Sequence, residues 1–264
     1  TGKLHLGHYV GSLQNRVKLQ DEYESFILLA DIQALTTHFE NPSLLEHSIY
    51  EVAMDNLSVG LDPNKITLVQ QSRIPSIGEL TVFYSMLVSV NSLRHNPTIK
   101  TEAANYGYND MTYGFLGYPV SQSADITFCK ANLVPVGEDQ KPHMEMTRKI
   151  VRRFNELYGE TLVEPETMLS DCPRLMGLDG NAKMGKSLGN AIAVEDPPRE
   201  VYGRTMSIPD ALMWDWYLLL TDLPKAEIEE RRSRVEAGTL HPKAVKQELA
   251  RRLVTQFHGD EAAA

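Results

Sequence analysis

Phe26-Ile27-Leu28-Leu29-Ala30-Asp31 is a short apolar run that ends in a carboxylate. Five consecutive residues with no polar alternation suit a strand buried on both faces, and an acid at its carboxyl end suits a functional or capping position. Upstream, the spacing predicts a helix from about Leu6 to Tyr23. Downstream, Asn41-Pro42-Ser43 starts a second helix, with Ile49, Val52, Ala53 and Leu57 on one face, and Gly60-Leu61-Asp62-Pro63 closes it. Ile66-Thr67-Leu68-Val69-Gln70 then reads as another buried strand. Helix, strand, helix, strand implies right-handed crossovers and an α/β, doubly wound parallel sheet, a Rossmann-like nucleotide-binding domain.

From Ile77 to Asn109 the chain is mostly helical and less regular, with Pro97 expected to break it. Leu80, Phe83, Tyr84, Leu87 and Val88 supply more apolar surface than one helix face of a monomer needs. Core packing and a homodimer interface both account for it. Tyr118, Gln122 and Asp125 fall at i, i+4 and i+7, so on a helix they share a face. Such a face suits a ligand with an ammonium and a distant hydrogen-bond donor; a solvated face has the same spacing. Asn132 to Gln140 reads as a strand that breaks at Gly137 into acidic and amide groups. A helix follows from Pro142 to Tyr158, with Ile150, Val151, Phe154 and Leu157 buried. Its Arg148, Lys149, Arg152 and Arg153 suit a solvated face or weak RNA contact. Met176 to Asn181 is a loop whose glycines suit a hinge.

After Asp196 the texture changes. Pro197-Pro198 marks a boundary, and helices follow, with stripes at Leu212, Met213, Trp216, Tyr217 and Leu220, and at Val245, Leu249, Leu253, Val254 and Phe257. The expected organisation is a catalytic domain over 1–193, with a helical insertion at about 77–117, and a small α-helical domain over 194–264. The chain of 264 residues, 42% hydrophobic and 23% charged, is long enough for that arrangement. A net charge of −9 excludes a global basic field, so any RNA contact must use local patches. Cys129 and Cys172 make neither a disulfide framework nor a metal-ligand pattern, and suit buried thiols in a reducing cytosol. No apolar run has the length of a membrane helix, and no metal site is expected.

Lys183-Met184-Gly185-Lys186-Ser187 offers two cationic tips and a hydroxyl on a short loop. Alone it is a weak signal and reads first as a solvated turn. His5-Leu6-Gly7-His8 gives it weight, because two imidazoles at a helix N-terminus meet a phosphate where the dipole favours one. Together these stretches resemble the two signature sequences of class I aminoacyl-tRNA synthetases.

Residues 1 to about 193 are similar to the tryptophanyl-tRNA synthetase family. Thr1 to His8, Asp31-Ile32-Gln33-Ala34-Leu35-Thr36, Pro135-Val136-Gly137-Glu138-Asp139-Gln140 and Lys183 to Ser187 carry the likeness. The tail resembles tyrosyl-tRNA synthetases, through Met206-Ser207-Ile208-Pro209-Asp210, Leu212-Met213-Trp214 and His241-Pro242. The likeness further implies a fragment open at both ends, with the first strand before Thr1 missing. Gly185 stands where the family usually has serine.

The resemblance implies activation of tryptophan with Mg-ATP and transfer to tRNA, in a cytoplasmic homodimer. It makes His5, His8, Lys183 and Lys186 catalytic, with Gly7, Met184, Gly185 and Ser187 completing the ATP site. It makes Tyr118, Gln122, Asp125, Gly137, Asp139 and Gln140 the amino-acid site, with Asp125 accepting the indole N–H. Tyrosine remains the alternative substrate, since the Tyr118, Gln122, Asp125 pattern is shared. A catalytically silent paralogue that binds RNA or a protein is the alternative of another class.

Overall fold

The structure is a computed structural model that describes residues 3–169 and 174–264, and Ser187 by its backbone alone. The expectations on Thr1, Gly2 and Cys172 lie outside the described residues. The described residues fall into two compact units, one drawn from 25–49 and 66–171, the other from 2–24, 50–65 and 172–264.

Among the described residues, all four strands lie in the first unit. β1 (Ser25–Leu29) pairs in parallel with β2 (Ile66–Gln70), Ser25 opposite Ile66 and Leu29 opposite Gln70. β3 (Leu133–Val136) pairs in parallel with β4 (Glu166–Leu169). The α/β class and parallel strands follow the sequence expectation, but the described ladders make two separate two-stranded sheets. The first run stops at Leu29 because Asp31 begins a helix, α2 (Asp31–His38). The Asp31 carboxylate accepts from the Ile32 and Ser72 backbone N–H groups, the Ser72 hydroxyl and the Gln70 amide. It therefore joins the first turn of α2 to the end of β2. These donors hold its carboxyl below the ordinary range, against the opposing effect of burial.

Between β2 and β3 run α4 (Pro75–Ser85), α5 (Val90–Arg94), α6 (Pro97–Tyr106) and α7 (Tyr113–Thr127), with α3 (Ser43–Ser58) preceding β2. Pro97 follows the break after Arg94, where α5 ends. It opens α6, where its missing N–H costs nothing, and the Asn96 side chain caps the free N–H groups of Thr98 and Ile99. α8 (Lys141–Tyr158) buries Met146, Ile150 and Val151 and completes the β3–α8–β4 crossover. The unit's core gathers Ile77, Tyr84, Ile99, Phe115, Val120 and Ile150. Two surface arginines, Arg148 and Arg152, share the Glu164 carboxylate.

In the second unit the first helix, α1, is not regular. An α-helical turn at Leu6–His8 passes through a π-helical stretch, Tyr9–Leu13, into Gln14–Leu19, four residues short of the expected end. π-Stretches recur at functional sites because they re-aim side chains. Gln20 then holds the loop after α3, donating to the Gly60 carbonyl and accepting from the Asp62 N–H. α9 (Pro198–Ser207), α10 (Met213–Leu220), α11 (Lys225–Glu236) and α12 (Pro242–His258) follow. Leu6, Tyr9 and Leu13 of α1 share one core with Met184 and Ile192 and with Trp216, Tyr217, Leu249 and Leu253 of the tail. Tyr9 accepts a hydrogen bond from Gln256 at 2.5 Å and meets the Phe257 ring edge-on at 5.1 Å. No helix among the described residues is long and apolar enough to cross a membrane.

Candidate active site

The second unit holds a cleft of about 350 Å³ lined by His5, Gly7, His8, Lys183, Met184, Gly185 and Leu188. Elements 180 residues apart in sequence thus meet on one surface. A short antiparallel bridge pairs His5 with Ala193, and the Leu6 N–H donates to the Ile192 carbonyl at 3.0 Å. These bonds stitch the start of α1 to the strand-like segment that leaves the lysine loop.

The two imidazoles sit 3.8 Å apart, centre to centre. His8 Nδ1 accepts from the His5 backbone N–H at 3.2 Å. His5 is 5% exposed, and its buried Nδ1 has no hydrogen-bond partner. A buried polar atom without a partner costs free energy, and a ligand that supplies one recovers it. Gly7 is required by clearance: a Cβ there would stand 2.9 Å from His5 Nδ1 and Cε1.

Burial, then the nearby Lys186 and Lys183 ammoniums, pushes the His5 imidazole down to about 4. The more exposed His8 is lowered too, by desolvation first and by His5 and Lys186 next. Both rings are therefore neutral near pH 7, and the cationic charge of the cleft resides on the lysines. Burial lowers the Lys186 ammonium below its ordinary value, against the Asp55 and Glu51 carboxylates that raise it. Asp55 is itself buried and accepts from the Leu4 N–H at 2.6 Å.

The first unit holds the second cluster. Tyr118, Gln122 and Asp125 lie along α7, and Gln140 ends a 3₁₀ turn before α8. The Tyr118 hydroxyl bonds His143 Nε2 at 2.7 Å, and Gln122 donates to Gln140 at 3.3 Å. Gln140 in turn donates to Asp139 at 3.0 Å. Gly137 leaves room for Asp139, whose Oδ1 would stand 2.8 Å from a Cβ there. Burial pushes the Asp125 carboxyl up to about 6, although Gln71 donates to it at 2.7 Å. Gln71, 1% exposed, accepts from the Gln33 N–H at 2.9 Å, so it ties Asp125 to α2. Burial and the Glu102 and Asp139 carboxylates hold the Tyr118 phenol well above its ordinary value.

Sequence reasoning missed His143, Gln71 and Asn190. His143 is 1% exposed and sits between Tyr118 and Asn96. The Asn190 amide accepts from the Gly185 N–H at 2.9 Å, inside the lysine loop. Among the described residues no group of three or more His, Cys, Asp or Glu side chains is placed to hold a metal ion.

Stability has a defined pH dependence. His5 and His143 titrate near 4 in the folded chain, both lowered mainly by burial, against about 6.5 when unfolded. Between those values the unfolded chain binds more protons, so stability falls as pH drops, by up to about 1.4 kcal/mol per pH unit for each group. Asp125, raised to about 6, opposes this with one proton between its folded and unfolded values. The urea midpoint is therefore expected to be lower at pH 5 than at pH 7, and His143→Gln to flatten the slope. Gly185 has an extended backbone, φ −160° and ψ 140°, and a Cβ there would meet nothing closer than 3.8 Å. Gly185→Ala is thus expected to stabilise the chain by about 0.4–1 kcal/mol through the unfolded state, measured by urea denaturation.

A family model described as tRNA synthetases class I (W and Y) matches residues 1–264. Proteins of Streptococcus mutans and Streptococcus pyogenes named tryptophan–tRNA ligase are 56% identical over 215 residues, 79% of this chain and 63% of theirs. The chain thus matches less than two thirds of the length of these relatives. A crystal structure of tryptophanyl-tRNA synthetase from Campylobacter jejuni, complexed with ADP and tryptophan, has a TM-score of 0.84 at 26% identity, covering 100% of this chain and 85% of that one. Tyrosyl-tRNA synthetase from Archaeoglobus fulgidus shares the fold, with a TM-score of 0.77 at 22% identity, covering 100% and 88%. Matched along its whole length by that family model, the chain belongs to the class I tRNA synthetases of the tryptophan and tyrosine family.

Proposed function

We propose that this chain activates tryptophan with ATP and passes the aminoacyl group to tRNA. One observation carries the reading: His5, His8 and Lys183 line a single cleft, with the Lys186 charge acting on both imidazoles. Neutral imidazoles donate one hydrogen bond each to phosphate oxygens, and the ammoniums supply charge where a departing pyrophosphate gains it. The tryptophan carboxylate attacks the α-phosphorus, the bond to the β-phosphate oxygen breaks, and pyrophosphate leaves. A ribose hydroxyl of the terminal adenosine of tRNA then attacks the aminoacyl carbonyl, and AMP leaves. The cleft lining offers imidazole and ammonium groups and no carboxylate, so magnesium would arrive on the nucleotide as part of the substrate.

Tyr118, Gln122 and Gln140 would hold the α-amino group. Asp125 would accept the indole N–H, with its second oxygen left by Gln71 for that bond. The names of the Streptococcus relatives, and the tryptophan in the Campylobacter structure, support this choice. A second reading, tyrosine, rests on the Gln122 to Gln140 hydrogen bond, which pairs two polar amides among the residues proposed to hold the amino acid. ATP–pyrophosphate exchange with each amino acid separates them. Tryptophan is expected to support exchange; a larger kcat/KM with tyrosine, or no exchange with either, would sink the assignment.

Val82, Phe83, Met86 and Val90 are 53–73% exposed and lie on α4, on α5 or between them. A second copy of the chain is the occupant that fits this apolar face, while Tyr84 turns inward to bond Thr127 at 2.7 Å. Light scattering is expected to report a dimer that Met86→Glu dissociates; a monomeric parent would remove the interface.

A further inference from the structure

We infer that Asn190 is the positioning residue for the two lysines of the loop, and that Gly177 is glycine to make room for it. The inference rests on the polyphosphate role proposed for that loop. The Asn190 side chain is 7% exposed and all its described bonds converge on this segment. Its Oδ1 accepts from the Gly185 N–H at 2.9 Å. Its Nδ2 donates to the Lys183 carbonyl at 3.4 Å and to Asp179 Oδ1 at 3.3 Å. One planar amide therefore ties the backbone on both sides of Met184 to the turn that leads into the loop.

Two further contacts fix the amide in place. Its own backbone carbonyl accepts from the Leu178 N–H at 2.9 Å. Gly177 lies directly against the side chain: a Cβ there would stand 2.1 Å from Nδ2 and 2.3 Å from Cγ, a distance no packing adjustment of a buried amide absorbs. The Gly177 N–H is also held, by the Ala182 carbonyl at 2.8 Å. Gly177 is therefore a clearance residue at the base of the loop, where its sequence context suggested a hinge.

The lysine side chains amplify any loss of this clamp. Each ammonium stands several bonds from the backbone that Asn190 holds, so a small rotation at Gly185 moves it by more. A displacement of about 1 Å in a positioning group costs about a hundredfold in rate. Asn190→Ala leaves the Gly185 N–H without its acceptor and frees that rotation. Gly177→Ala reaches the same end without altering a group that touches the loop, by expelling the Asn190 side chain.

The test uses the full chain, with tryptophan-dependent ATP–pyrophosphate exchange and hydrogen exchange of the segment containing Gly185. Asn190→Ala and Gly177→Ala are each expected to slow pyrophosphate exchange about a hundredfold, leave the KM for tryptophan within twofold, and remove protection at Gly185. Because the amide acts through the lysines, Asn190→Ala in a Lys186→Ala background is expected to cost less than about tenfold more. Equal costs in both backgrounds, or a parent-like rate in either single variant, would overturn the inference. An inactive parent would instead overturn the proposed activity, and retained or lost protection at Gly185 in Asn190→Ala then decides the clamp alone.

Discussion

Replacing Lys186 with alanine is expected to slow adenylate formation a hundredfold or more while changing the KM for tryptophan little. Partial burial lowers the Lys186 ammonium against the Asp55 and Glu51 carboxylates, and its charge is felt by His5. A charge that is partly stripped of water gains more from a new anionic partner than one in bulk solvent. Pyrophosphate acquires its extra negative charge only as the bond to the α-phosphorus breaks, so the ammonium stabilises the transition state more than the ground state. Removing one such preorganised donor costs about 2.7–4 kcal/mol of barrier, which is a factor of about 10²–10³. The residues expected to hold tryptophan belong to a different cluster, in the other compact unit, which is why its KM should stand. Pre-steady-state adenylate formation and ATP–pyrophosphate exchange check this, and an unchanged exchange rate would remove the loop from the chemistry. The imidazoles add a second readout. A triphosphate beside His5 favours its charged form, so ATP binding is expected to take up protons just above the free imidazole's value of about 4, measurable from binding heats in buffers of different ionisation enthalpy.

What could be read from sequence was local. β2 has the bounds its apolar run predicts, because the run sits between a Gly-Leu-Asp-Pro turn and a polar stretch. β4 escaped notice: Glu166-Thr167-Met168-Leu169 has neither alternation nor length, and it is a strand because β3 pairs with it. Asn96-Pro97-Thr98 was legible as a break in the helical stretch; that the same pair starts the next helix was not. His5, His8, Lys183 and Lys186 were legible as motifs, and the structure brings the two stretches together in one cleft. Their supports were not legible. Gln71 reaches Asp125 across 54 positions, and His143 reaches Tyr118 across 25. No spacing rule encodes such contacts, because they depend on how strands and helices pack. The change in texture near Pro197 is real as composition, yet Val194 and Val201, on either side of it, belong to the same core.

That shared core sets the second large effect. Trp216→Ala is expected to destabilise the chain by about 3–5 kcal/mol, the usual range when a fully buried aromatic is truncated to alanine. Trp216 is 0% exposed, and its neighbours in the cluster include Leu6 and Tyr9 of α1 and Met184 of the lysine loop. Its indole N–H also donates to the Met176 carbonyl at 3.2 Å, at the base of that loop. Truncation leaves a cavity under α1 and the loop together, and it leaves the Met176 carbonyl without that donor. Trp216→Phe keeps most of the apolar volume and removes the N–H, so its cost is dominated by the unpaired carbonyl, at about 1–3 kcal/mol. Trp214, half-buried and stacked on Tyr217 at 6.2 Å, is the control, and its alanine variant is expected to cost less than half as much. Urea denaturation gives the three differences. If Trp216→Ala falls within 1 kcal/mol of the parent, α1 and the tail do not share a core. If it falls in the expected range and also weakens ATP binding at temperatures where the chain stays folded, the helical tail is part of what holds the imidazoles against the lysine loop.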